Sequence, residues 1–130
     1  MLKRNIELNK LHNILSIKAG LWHRSAYLKV YKDVADSREW ALHVEETEEI
    51  TELKGISLES LISDYEIGQI DLLKIDIEGE EYEIFSKKDF PVAKIRNIVG
   101  EYHRDSLQPL LTSLGYEYME IPNKHFLSRR

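Results

Sequence analysis

Cysteine is absent from this sequence of 130 residues, which also has no long apolar run and no surplus of positive charge. The lack of cysteine excludes disulfides, thiolate metal ligands and a cysteine nucleophile, and it is typical of a reducing compartment. No apolar run approaches the ~20 residues of a membrane-spanning helix, and residues 1–5 lead into no hydrophobic signal core. We therefore expect a cytoplasmic protein with no membrane partner.

The charge balance argues against a nucleic-acid partner. Lysine and arginine number 18 against 23 aspartate and glutamate residues, which gives a net charge of −5, and no basic stripe is present. Hydrophobic residues make up 42% of the chain and charged residues 32%, as is typical of a globular protein. With no repeat, low-complexity stretch or linker, residues 1–130 are predicted to form one unit.

Hydrophobic periodicity predicts alternating helices and strands in the first part of the chain. Residues 2–12 have helical spacing and residues 13–19 alternate like a short strand. The acidic cluster at residues 45–49 is predicted to be a solvated loop. Ser57 is the expected N-cap of a helix, and residues 70–77 form a nearly continuous apolar run, which is typical of a parallel strand covered on both faces.

The second part of the chain continues this alternation. A short helix is predicted at residues 80–87, a buried strand at 95–103 and a helix from Asp105 onwards. Residues 116–121 and 125–127 predict a hairpin. The whole pattern indicates an α/β fold with a mostly parallel sheet and a C-terminal antiparallel hairpin.

Two predicted strand ends carry side chains suited to chemistry, because ligands of parallel sheets bind beyond the carboxyl ends of the strands. Lys74 and Asp76 share one strand face and Glu78 follows them, while Glu101 and His103 share a face on the other strand. Such a group suits a divalent metal (Mg, Mn, Fe or Zn) or a general base near neutral pH. The structural alternative is a Lys74–Asp76 ion pair and a partly buried histidine that plays no chemical part.

Three segments resemble the FkbM-type methyltransferases. They are residues 55–62 (GISLESLI), 70–83 (IDLLKIDIEGEEYE) and 98–103 (IVGEYH). Residues 2–9 are also similar to the helix after that family's second strand, and residues 20–22 to the end of its third strand. The ordered series covers nearly the whole chain, and this order is more specific than any single segment.

The resemblance implies a Rossmann-like fold that uses S-adenosylmethionine to methylate a hydroxyl group of a small-molecule acceptor, such as a sugar or natural product. It places Asp76 at the end of the central fourth strand, near the methyl donor. There Asp76 would position or deprotonate the acceptor, or hold a metal that does so. The expected catalytic cluster comprises Lys74, Asp76, Glu78, Glu101 and His103.

The resemblance also implies where the cofactor's adenine would lie. Gly20, Leu21 and Trp22 would line it, with Asp76 closer to the methyl group. Trp22 would offer an aromatic face, or it would instead be a buried core side chain. Both roles stay open at this point.

One part of the family pattern is not found in this sequence. Family members open with a strand, a glycine-rich cofactor loop and a second strand, whereas the six glycines here include no Gly-x-Gly pair. We therefore expect residues 1–130 to form a methyltransferase domain truncated at its N-terminus, with an incomplete cofactor site. The fourth strand would then be an exposed edge, which predicts a homo-oligomer. The alternative function is a non-catalytic module that binds a metal or a sugar, or that self-associates.

Overall fold

A computed structural model describes residues 1–32, 42–77, 81–101, 106–122 and 125–130. The elements in chain order are α1 (Leu2–Leu8), β1 (Gly20–Leu21), β2 (Ala26–Lys32), β3 (Leu42–Thr47), β4 (Lys54–Ile56), α2 (Leu58–Asp64), β5 (Ile70–Ile75), α3 (Glu81–Phe85), a 3-10 turn (Val92–Lys94), β6 (Ile95–Glu101), α4 (Leu107–Ser113), β7 (Glu117–Ile121) and β8 (His125–Arg129). The Ser57 hydroxyl accepts a 3.1 Å hydrogen bond from the Ser60 N–H, which confirms the predicted N-cap of α2. Within the described ranges, no helix is both long and apolar enough to cross a membrane.

The first sheet is mixed and has the strand order β1-β4-β2-β3. β1 runs parallel to β4, whereas β2 pairs antiparallel with both β3 and β4. Gly20 and Gly55 lie opposite each other in the β1–β4 register. A Cβ atom on Gly55 would lie 3.0 Å from the Trp22 side chain and 3.2 Å from Leu28, which is only 1% exposed. The absence of a side chain at Gly55 therefore leaves room for two core side chains.

The second sheet is also mixed, with the order β5-β6-β8-β7. β5 and β6 are parallel, and β8 is antiparallel to both β6 and β7. The ends of β5, β6 and β7 therefore lie beside the start of β8, along one border that we call the carboxyl edge. Its register pairs Ile75 with Gly100, and His125 with both Glu101 and Ile121.

One face of the second sheet carries the hydrophobic core. The core is formed by buried side chains of this face, of α2, α3 and α4, and of the segments that join them. These side chains are Leu58, Ile62, Ile75, Ile84, Phe85, Phe90, Ile95, Ile98, Leu107, Leu111, Tyr116 and Phe126. The Phe126 ring stacks on Tyr118 with centroids 5.5 Å apart, and Phe85 meets Phe90 edge-on at 5.0 Å. Each such large apolar side chain contributes about 1.5–3 kcal/mol through burial. These contacts fix the sheet that supports the carboxyl edge.

The opposite face of the second sheet, which we call the open face, is less covered. The register places Lys74, Val99, Leu127 and Met119 in one row across it. Met119 is 52% exposed, and Leu72, on the same face of β5, is 58% exposed. The open face is therefore accessible to solvent up to the carboxyl edge.

The prediction of a mostly parallel sheet is wrong, because both sheets are mixed. The pairs β2–β3 and β7–β8 are antiparallel hairpins, and the parallel pairs among the described strands are β1–β4 and β5–β6. The C-terminal antiparallel hairpin itself is confirmed. The predicted coverage of both faces of β5 is also wrong, since Leu72 is exposed and β5 ends its sheet, with β6 as its neighbour among the described strands. Among the described strands, β5 thus has the edge position that the truncated fold predicts.

Three boundaries in the first part of the chain differ from the predictions. The first helix ends at Leu8 instead of residue 12, and the predicted strand at 13–19 forms only at Gly20 and Leu21, where β4 provides a partner. The acidic cluster at 45–49 is only partly a loop. Its first residues belong to β3, because they pair with β2.

Candidate functional site

Lys74 and Asp76 form an ion pair at the end of β5. Nζ of Lys74 donates a 2.6 Å hydrogen bond to Oδ2 of Asp76, and the two side chains are 63% and 43% exposed. Because water reaches both groups, such a pair contributes at most about 1 kcal/mol to stability. The pair expected by the structural alternative is thus present, and it leaves the carboxylate within reach of a ligand.

Glu101 ends β6 and lies opposite His125, the first residue of β8. Nε2 of His125 is 3.6 Å from Oε1 of Glu101, which is within ion-pair range but longer than a hydrogen bond. Both side chains are less than half exposed, at 45% for His125 and 38% for Glu101, and they lie on the open face. Sequence reasoning missed His125, because only the pairing of β8 with β6 places it at this edge.

The strand register brings Asp76 and Glu101 to neighbouring positions. Each follows directly after a member of the pair Ile75–Gly100, and paired strands lie about 4.8 Å apart. A Cβ atom on Gly100 would lie 2.5 Å from the carbonyl oxygen of Ile75. Glycine at position 100 therefore permits the close approach of β5 and β6 directly beneath the two carboxylates.

Two members of the predicted catalytic cluster, Glu78 and His103, lie outside the described residues. Among the residues that are described, no three histidine, aspartate or glutamate side chains are grouped closely enough to hold a metal ion. Asp76, Glu101 and His125 are all described, and they do not form such a group. A divalent metal at the carboxyl edge stays a prediction.

Trp22, in the segment predicted to contact the cofactor, is a core side chain with 8% exposure. Its Nε1 donates a 2.7 Å hydrogen bond to Oε1 of Glu46 in β3. The Arg24 guanidinium also hydrogen-bonds this carboxylate, and Nε2 of His23 lies 3.1 Å from it. This burial fits the core role considered for Trp22, and its role towards the cofactor stays a prediction.

Glu46 is strongly acidic as a result of these contacts. The hydrogen bond from Arg24, followed by that from Trp22, lowers the pKa of Glu46 from 4.5 to about 2. Sequence reasoning placed Glu46 in a solvated loop, and nothing in the acidic run distinguishes it from its neighbours. The carboxylate joins β3 to the segment that follows β1.

The neighbours of Trp22 also serve packing. A Cβ atom on Gly20 would lie 3.1 Å from Leu28, and Leu21 packs against the hydrophobic core. Leu21 thus joins the first sheet to the hydrophobic core, whereas the contact of Gly20 lies within the first sheet. A role for Gly20, Leu21 and Trp22 in cofactor binding stays a prediction.

An open cleft of about 500 Å³ lies on the first sheet, away from the carboxyl edge. Tyr27, Lys54 and Asp64 are among its lining residues, and none of the lining residues belongs to the second sheet. The cleft and the polar carboxyl edge are therefore separate features of the surface.

Comparison with known proteins gives one match. The sequence model described as "Methyltransferase FkbM domain" matches residues 3–118, and so extends from α1 into β7. No curated protein and no solved structure matches the chain.

Proposed function

The chain belongs to the methyltransferase FkbM domain family, and from this premise we propose that it transfers a methyl group from S-adenosylmethionine to a hydroxyl group of a sugar or related natural product. The carboxyl edge of the second sheet is the proposed site. The observation that carries the proposal is the position of Asp76 and Glu101 at the adjoining ends of two parallel strands, where ligands of such sheets bind.

The charges at this edge suit the proposed methyl donor. S-adenosylmethionine carries a sulfonium cation and, when bound, supplies an electrophilic methyl group. The carboxylates of Asp76 and Glu101 are both accessible and would stabilise a nearby cation. The support for this cofactor comes from the family and from the two carboxylates.

The side chains of the edge also suit a hydroxylated acceptor. Lys74 provides hydrogen-bond donors, and Asp76 and Glu101 provide acceptors, on a face that is open to solvent. We assign Asp76 the role of positioning the acceptor, by accepting a hydrogen bond from a hydroxyl group beside the reacting one. Lys74, 2.6 Å away, would hold that carboxylate in place.

Transfer of a labelled methyl group tests the proposal directly. The chain is incubated with millimolar S-adenosylmethionine, labelled in its methyl group, and a mixture of hexose methyl glycosides. We expect labelled glycoside from the parent chain and at least a 100-fold lower rate from Asp76→Asn, because misplacing an acceptor by about 1 Å costs on the order of 100-fold in rate. Failure of the parent chain to label any of these glycosides would contradict the proposed acceptor class.

Asp71→Asn is the matched control, because Asp71 lies on the same strand and forms an ion pair with Arg96 at 2.7 Å. It should transfer the methyl group at the parental rate. If Asp76→Asn also kept the parental rate but unfolded at a lower urea concentration, Asp76 would be structural. Binding of a glycoside in calorimetry without any transfer would instead support a non-catalytic sugar-binding module.

A further inference from the structure

His125 lies where the proposed reaction needs a proton acceptor. It begins β8 at the carboxyl edge and shares the open face with Glu101, its partner in the strand register. Its side chain is 45% exposed, so a ligand on this face can reach the imidazole. The sequence segments that resemble the family end before this position.

The two nitrogens of His125 are in different surroundings. Nε2 lies 3.6 Å from the Glu101 carboxylate. A proton on Nε2 is favoured there because it points towards negative charge, which leaves the lone pair of a neutral imidazole on Nδ1. A base oriented by a carboxylate in this way is a recurring arrangement for accepting a proton from a hydroxyl group.

We infer that His125, oriented by Glu101, is the general base of the site, an inference that rests on the proposed methyl transfer. The acceptor hydroxyl gives its proton to Nδ1 of His125 while its oxygen bonds to the methyl carbon. The electron pair of the broken carbon–sulfur bond stays with the leaving sulfur. The imidazolium that forms is stabilised by the Glu101 carboxylate, and Asp76 holds the acceptor through a hydroxyl group beside the reacting one.

The charged groups around His125 support this assignment. Glu101 faces it from β6, whereas the residue opposite it on β7 is the apolar Ile121. On β8 itself the charged side chain of the same face is Arg129, which is engaged with Glu117 at 2.8 Å at the far end of the strand. Among the described neighbours of His125, the charge that faces it is thus the negative charge of Glu101.

Nitrogen NMR of the imidazole tests the orientation in the chain without any ligand. With ¹⁵N-labelled histidine, we expect neutral His125 to carry its proton mainly on Nε2, and Glu101→Gln to weaken this preference. Glu117→Gln, which removes a carboxylate from the same face but from the opposite end of β8, should leave it unchanged. A proton mainly on Nδ1 in the parent chain would overturn the inference, because Nδ1 then could not accept a second one.

The transfer assay tests the chemical role. We expect His125→Gln to lower kcat by about 100-fold or more, and to remove the rise of kcat with pH that the titration of a base produces. The KM for S-adenosylmethionine should not change. His12→Gln, which replaces an exposed histidine next to α1, is the control.

An active parent chain whose rate and pH profile survive His125→Gln would overturn the inference and leave the proposed function in place. An inactive parent chain would contradict the proposed function itself, and the NMR experiment would still decide the orientation of His125.

Discussion

Glu46 gathers three neighbouring side chains, Trp22, His23 and Arg24, around one carboxylate. The folded chain keeps this group ionised down to a pKa of about 2, compared with 4.5 for an ordinary glutamate. A carboxyl group whose pKa is lowered by folding stabilises the folded state at pH values above its pKa in the unfolded chain. This stabilisation is lost as the pH falls towards its pKa in the folded chain. Glu46 should therefore stabilise the chain fully above pH 4.5 and progressively less down to about pH 2.

We predict that Glu46→Gln lowers the free energy of unfolding at neutral pH and makes it less dependent on pH between 4.5 and about 2. Urea unfolding followed by circular dichroism across this range measures both effects. Glu45→Gln removes the same charge from the exposed neighbouring position and should keep the parental pH dependence. An identical pH dependence in Glu46→Gln and the parent would show that the Arg24 and Trp22 contacts do not act on this carboxyl group.

The pair of strands β5 and β6 depends on the absence of a side chain at Gly100. A Cβ atom there would lie 2.5 Å from the backbone oxygen of Ile75 and 2.9 Å from its Cγ2 atom. We predict that Gly100→Ala forces the strands apart and lowers the free energy of unfolding by about 1–3 kcal/mol. Gly68→Ala is the control, because nothing lies within 4 Å of its added Cβ atom. Equal urea midpoints for the two variants would contradict this account.

Elements set by local signals could be predicted from the sequence. Ser57 caps α2 as expected, and Gly115 follows α4 with the left-handed φ of +86° that favours glycine. The local hairpin of β7 and β8 could also be predicted. Pairings between more distant strands, such as β2 with β4, could not, because they depend on residues far apart in the chain. Glu46 belongs to an acidic run, which by itself indicates a loop. Its place in a strand follows from the pairing of β3 with β2 and from the contact with Trp22. His125 likewise joins the candidate site only through the β6–β8 register.

At the scale of the whole molecule, the side of β5 that no described strand covers predicts self-association. Backbone N–H and C=O groups along an edge strand are a template for a further strand, and Leu72 adds an exposed apolar side chain there. We expect sedimentation equilibrium to give a mass that increases with concentration. Leu72→Lys should shift the chain towards the monomer, whereas Val30→Lys, at a 47% exposed position of the first sheet, should not. A monomer mass at every concentration would rule out this interaction.

The cofactor affinity of the whole chain is a separate prediction. None of the six glycines forms a Gly-x-Gly pair, whose backbone would contact the methionine and ribose parts of S-adenosylmethionine, and the Trp22 ring is buried. We predict binding too weak to be detected in a calorimetric titration at micromolar concentrations, and for this reason the transfer assay uses a millimolar donor. A micromolar dissociation constant would show that other residues complete the cofactor site.

The one-sided pairing of β5 also has a consequence for amide hydrogen exchange. Successive residues of a strand direct their N–H groups to opposite sides, so only every second amide of Ile70–Ile75 can be held by β6. In the monomer, exchange rates along these residues should therefore alternate between slow and fast. A partner strand on the side that no described strand covers would slow exchange only at the fast-exchanging amides. Exchange rates of the six amides of β5 would therefore show when this edge becomes covered.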